Sequence, residues 1–305
     1  MKKNAALTVI YILFLVAISF ASLKVMATIN PYYLVLKEIA GERAEVSLLI
    51  GPGQNPHIYS PTISDVRRMN EADLIIANGL DLESFMSSAF KDLENRGKTV
   101  LFAGTLLPAT MLGEDDHDNH ENHDELPAGD TDDDHHHSIN PHVWLDPLFL
   151  SDYIIPGIVE TLKEMDPENG YYYSDRAADL SYRLRLFYAE AGRYLDQFRG
   201  SIVIVSHPSF SYFFDRFGIT LEPVLQGIGD EPSIQDMKRL IDFVKSENVI
   251  GIFAEYQQSK RPIDILIRET SVRNGNLDGL GISRVDTVEH FEWNLEEMKR
   301  VFGRE

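Results

Sequence analysis

A chain of 305 residues with 44% apolar content can bury a sizeable core, and its length suggests about two domains. Its formal net charge of −20 excludes a nucleic-acid binder, which needs basic patches. With no cysteine, disulfides, thiolate metal sites, cysteine nucleophiles and a lipid-modified cysteine are all excluded, so any metal site is built from nitrogen and oxygen.

Lys2 and Lys3 precede the uncharged run Ala5 to Leu23, the layout of a secretory signal over residues 1–22, with small residues at Ser19 and Ala21 for cleavage. A retained anchor is the rival, because the run approaches the roughly 20 residues that span a bilayer. Both place the folded part outside the cytoplasm.

The first lobe, residues 24–165, reads as alternating strands and helices. Strands are expected at Lys24 to Ile29, Glu45 to Ile50, Leu74 to Ala77 and Thr99 to Phe102. Asn30-Pro31 opens a helix to Gly41 as cap and first-turn proline, Thr62 and Asp65 have capping-box spacing, and Leu82 to Asn95 is helical. Such alternation implies right-handed βαβ units and a mainly parallel sheet. From Glu114 to Asp134 the chain carries 11 acidic residues and no Lys or Arg, and composition predicts disorder for the loop 114–138. Residues 166–199 form the connecting helix: Asp166-Pro167-Glu168 is a start signal, and Tyr173, Ala177, Leu180, Leu184, Phe187, Ala191, Tyr194 and Phe198 keep one apolar stripe. A helix from Asp166 to Phe198 is about 50 Å long.

In the second lobe, residues 200–305, strands are expected at Ile202 to Ser206, Thr220 to Leu225 and Val249 to Ala254. Helices are expected at Tyr212 to Phe217, Glu231 to Glu247, Pro262 to Thr270 and Glu289 to Phe302. The fold class is thus α/β: two βα lobes joined by one long rigid helix. No internal sequence repeat is visible.

Of ten histidines, six lie in the acidic tract, leaving His57, His142, His207 and His290. A lone histidine is more often structural than a ligand. Three have unusual surroundings: His57 and His142 each follow Asn-Pro, and His207 stands between a β-branched run and Pro208. Proline stiffens the backbone beside it, and strand ends are where ligands collect in open α/β sheets. These three, with Asp278 after Gly275-Asn276-Leu277, are expected to converge on one divalent metal ion. Alone, Asp278 fits a turn or cap equally well, and Glu255 is its rival as fourth ligand. Asp146 reads as a helix cap, or else as an acceptor that orients the His142 ring. His290 reads as a surface residue.

The segments NPHIYSPT, SDVRRMNEADLIIANGLDLE, NPHVWLDP, VSHPSFSYFFDRFG, EPSIQDMKRLIDFVKSENVIGIFAE and LDGLG, in that order over about Lys24 to Phe302, resemble the solute-binding proteins of zinc and manganese ABC importers. The resemblance implies ligands at His57, His142, His207 and Asp278, lifting Asp278 above Glu255. The family's usual DPLG reads Asp278-Gly279-Leu280-Gly281 here, and its HDAF reads His207-Pro208-Ser209-Phe210, so the backbone beside both ligands is altered. The tract from Asp115 to His137 looks like the His-rich loop of zinc-specific members. Its expected task is to collect zinc and pass it to the buried site.

Three imidazoles and a carboxylate suit zinc, with manganese second. The expected function is extracytoplasmic zinc capture between the lobes by a monomer, followed by delivery to an ABC permease, and not catalysis. Alternatives are manganese import, a secreted zinc hydrolase or an adhesin. The sequence has no HExxH, and its candidate ligands come from both lobes.

Overall fold

The computed structural model describes residues 22–113, 139–224 and 232–303. The candidate signal, except its last residue, and the acidic loop 114–138 lie outside the described residues.

In the first lobe, β1 (Leu23–Ala27), β2 (Ala44–Leu48), β3 (Leu74–Ala77) and β4 (Thr99–Phe102) form one parallel sheet in the order β2-β1-β3-β4. Helices α1 (Asn30–Ala40), α2 (Ile63–Glu71) and α3 (Ser87–Asn95) make the crossovers. β3 is buried at every residue, as expected of a sheet covered on both faces. Asn30 does not cap α1: its side-chain amide donates to the carbonyls of Leu280 and Gly281 in the other lobe, at 2.9 Å each.

After β4 the helix expected from the Asp146-Pro147 cap forms, and it extends further than the sequence marks. It runs from α4 (Pro147–Phe149) through one π turn at Leu150–Ile154 into α5 (Ile155–Met165). Pro156-Gly157 reads locally as a breaker. Tertiary packing overrides it. Ile154, Ile155, Ile158 and Leu162 are buried, and a Cβ on Gly157 would stand 2.5 Å from Leu106 Cδ1. The π turn accommodates the missing N–H of Pro156.

The connecting helix is α6 (Gly170–Leu195), with 3₁₀ turns at Pro167–Asn169 and Asp196–Phe198. Its expected stripe is buried from Tyr173 to Ala191, then passes to Leu195 rather than Tyr194. Asp166 accepts from the Tyr173 hydroxyl and the Asn169 amide instead of capping.

The second lobe repeats the plan. β5 (Ile202–Val205), β6 (Thr220–Pro223), β7 (Val249–Glu255) and β8 (Asn274–Leu277) are parallel in the order β6-β5-β7-β8, with helices α7 (Ser211–Arg216), α8 (Ile234–Ser246), α9 (Arg261–Thr270) and α10 (Thr287–Phe302). One short repeat escaped the sequence analysis. Pro61-Thr62-Ile63-Ser64-Asp65 opens α2, and Pro232-Ser233-Ile234-Gln235-Asp236 opens α8, each closing a capping box. Helix α6 packs on α1, α5 and α10, and one continuous apolar cluster runs from the first sheet through α6 into the second lobe. A smaller cluster joins Ile204, Ile252 and Ala254 to residues of α8 and α9. A shared core resists hinge opening between lobes, so it holds groups from both at fixed separation.

Candidate metal centre

Both Asn-Pro-His segments fold into the same local device. Asn55 Oδ1 accepts the backbone N–H of His57 at 3.0 Å, and Asn140 Oδ1 accepts that of His142 at 3.0 Å. The intervening proline has no N–H and a fixed φ, so the turn closes on the residue after it. His207 follows Val205 and Ser206 in extended conformation (φ −149°, ψ 144°), with Ser206 N still donating to Phe253 O at 3.0 Å. Sheet pairing therefore fixes the third imidazole.

The three side chains meet. His142 Nε2 lies 3.0 Å from His57 Nε2 and 3.1 Å from His207 Nε2, and one ligand nitrogen from each lies within 4.8 Å of the others. Tetrahedral Zn–N bonds of 2.0–2.1 Å would separate such nitrogens by about 3.3 Å. His142 and His207 are buried and His57 is half-buried. Asn140 also sets the tautomer of His142. Its Oδ1 lies 2.7 Å from His142 Nδ1, while its amide donates to Pro208 O at 3.1 Å. An acceptor at Nδ1 keeps the proton there and leaves the Nε2 lone pair for an ion. This role for Asn140 was not among the sequence expectations; its signal is the asparagine two residues before both His57 and His142.

The three imidazoles line a cavity of about 20 Å³ with Trp144, Ser209 and Glu255. That volume is enough for one ion or one water. Glu255 ends β7, and its Oε1 has no hydrogen-bond partner. Burial, then the charge of Asp278, pushes its carboxyl up to about 8. Asp278, fully buried after β8, does not line this cavity, and no carboxylate among the described residues joins the three-histidine group. Its Oδ1 accepts from Leu280 N at 3.2 Å, and its unpartnered Oδ2 lies 3.8 Å from Arg284 Nε.

His290 is a correction: it is buried, with Nε2 2.6 Å from the Asp278 carbonyl. Helix α10 begins at Thr287, earlier than expected, which turns His290 inward with Phe291 and Asn294. Burial holds its pKa below the usual imidazole value, against the opposing pull of Asp278. Asp146 caps α4, accepting from Leu148 N and Phe149 N, and pairs with Arg216 at 2.5 Å. Across the lobes, Trp144 Nε1 donates to Gly279 O at 2.7 Å.

Residues 25–301 match the family described as ZnuA: zinc-uptake complex component A, periplasmic. The chain is 33% identical over 288 residues to a putative metal-binding protein of Thermotoga maritima, covering 94% of each. It is 27% identical to the zinc-binding lipoprotein AdcA of Streptococcus pneumoniae, all of this chain matching 62% of that one. A crystal structure of ZnuA has the same fold, with a TM-score of 0.77 at 24% identity over 92% of this chain and 99% of the other.

Proposed function

Since the chain belongs to the family of zinc-uptake complex component A, we propose that His57, His142 and His207 hold the zinc ion that it carries. The protein is a solute-binding component of zinc uptake and not an enzyme; it acts outside the cytoplasm and delivers zinc to an ABC permease. The finer placement is the periplasm or the outer face of the cytoplasmic membrane. Among the described residues, no helix is long and apolar enough to cross a membrane. The protein acts as a monomer, without a nucleic-acid partner.

One observation carries the ligand assignment: three Nε2 atoms from segments far apart in the chain face one another at 3.0 and 3.1 Å. A fourth ligand comes from the second lobe. Asp278 is the choice that the family motif supports, and Glu255 is favoured by its place in the cavity wall. Zinc is preferred over manganese because nitrogen dominates the donor set. The loop 114–138 adds zinc capture at low supply.

The test is calorimetric zinc titration of metal-free protein lacking residues 114–138. One zinc per chain is expected, lost in the variant with all three histidines changed to alanine. A protein that takes no zinc, or a triple variant that binds as wild type, sinks the assignment. Asp278→Asn and Glu255→Gln then separate the two carboxylates: the larger loss marks the ligand.

A further inference from the structure

The segment Asp278-Gly279-Leu280-Gly281 is pinned by its backbone from both lobes. From the first lobe, Asn30 donates to the carbonyls of Leu280 and Gly281, and Trp144 Nε1 donates to that of Gly279. From α10, the Asn294 amide donates to the Asp278 carbonyl at 3.0 Å, and Asn294 Oδ1 accepts the Asp278 N–H at 2.8 Å. Gly279 and Leu280 line the metal cavity, and a Cβ on Gly279 would stand 3.5 Å from Glu255 Oε2. The backbone thus brings Asp278 to the edge of the cavity, yet its carboxylate is not in the wall. With the backbone fixed, only a side-chain rotation is left to decide where that carboxylate goes.

The charge beside it is Arg284, whose Nε lies 3.8 Å from Asp278 Oδ2. The pair is buried: the Asp278 side chain is 0% exposed and that of Arg284 19%. Neither of these two atoms has a hydrogen-bond partner. Arg284 is set in place by other means. Its backbone N–H donates to Gly281 O at 3.2 Å, and its guanidinium carbon lies 4.5 Å from the centre of the Trp293 ring. A guanidinium grips a carboxylate through short, paired N–H···O bonds, and at 3.8 Å none is closed. The contact is therefore charge without bonds. It offsets the cost of burying Asp278 but holds the carboxylate loosely. A divalent ion in direct contact carries twice the charge at a shorter distance.

We infer that Arg284 is a built-in rival of the zinc ion for Asp278: it holds the carboxylate in the metal-free protein, and an entering ion gains Asp278 only by drawing it away from Arg284. The exchange lowers zinc affinity and eases release, because Asp278 regains a counter-charge as the ion leaves. By linkage, zinc loosens the Asp278–Arg284 pair by the same factor by which Arg284 weakens zinc binding. This inference rests on the choice of Asp278 over Glu255 as fourth ligand.

The test is a double-mutant cycle on the full chain, with zinc affinity measured by competition with a chelating dye. Its members are wild type, Arg284→Met, Asp278→Asn and the double variant; the loop 114–138 is common to all four and cancels. Arg284→Met binds zinc about tenfold more tightly and releases it about tenfold more slowly. Asp278→Asn binds about tenfold more weakly, and in that background Arg284→Met changes the affinity less than about twofold. Unchanged affinity in Arg284→Met overturns the inference. So does equal tightening in both backgrounds, which makes Arg284 a bystander charge. A second measurement keeps Arg284 in place: its Nε–H resonance, assigned by its loss in Arg284→Lys, shifts as zinc is added to wild type and shifts far less in Asp278→Asn. A resonance that stays still in wild type, or moves equally in both, also overturns the inference. Asp278→Asn with wild-type affinity removes Asp278 from the ligand set, and this inference with it, while the three histidines stand. A wild-type protein that takes no zinc breaks the metal reading itself.

Discussion

Asn78 follows β3 in the first lobe, and Glu255 ends β7, the corresponding strand of the second; both are buried. Asn78 is fully occupied: it accepts from the Tyr32 hydroxyl at 2.7 Å and donates to the carbonyls of Gly79 and Pro141, each at 2.9 Å. Beside it, Glu83 accepts from Thr28 Oγ1, Asn78 N and Gly79 N. Glu255 has an oxygen with no partner, as has nearby Asp278. Unmet acceptors in a low-dielectric interior are costly. The first lobe thus ends in a finished hydrogen-bond network that fixes the approach to His142. The second keeps the Glu255 carboxyl unfinished in the cavity wall, with Asp278 buried behind it beside Arg284.

This contrast can be broken by substitution. The largest effect is expected for His142→Ala, which removes the central imidazole and weakens zinc binding by more than about 100-fold, beyond the ~10–100-fold typical of outer-sphere partners. Competition with a chelating dye measures it. Asn140→Ala falls within that ~10–100-fold range, because the ring stays but loses its tautomer and orientation. Equal affinity in Asn140→Ala and wild type would remove Asn140 from the site.

The two buried glutamates should respond in opposite directions. Glu83→Gln sets an NH2 against the Gly79 N–H, stranding that donor, and lowers the stability of metal-free protein by about 1–3 kcal/mol in urea unfolding. Glu255→Gln raises stability near pH 8 and changes little near pH 5. The sign follows from linkage: folding lifts the Glu255 pKa from about 4.3 unfolded to about 8. Its contribution is therefore complete below the unfolded value and is lost as pH climbs through the folded one. Metal-free wild type should lose stability across that window, and the glutamine variant should lose less. Parallel curves for the two would deny Glu255 this role. The smallest effect is that of His290→Ala, about 1 kcal/mol of stability from the lost hydrogen bond to the Asp278 carbonyl, read by thermal melting.

Much of the fold was legible because it depends on local chemistry. β3 and β4 have the bounds expected for them, and the Thr62–Asp65 capping box forms as its spacing requires. Helix α5 was not legible, since Pro156-Gly157 speaks against a helix until Leu106 packs on the glycine. Asn30 carried a cap signal yet serves the opposite lobe. His290 looked like a surface residue among glutamates because its inward facing depends on where α10 begins.

By itself the sequence determined the alternation of strands and helices, the parallel sheets and the three histidines on stiff Asn-Pro or strand-end backbone, all consequences of neighbours along the chain. Only the tertiary structure decided that these imidazoles meet at 3.0 and 3.1 Å and that Glu255 lines the cavity with them. The physical reason is that strand order and the packing of both sheets on one long helix fix distances between segments 65 and 85 residues apart, and no local preference encodes those.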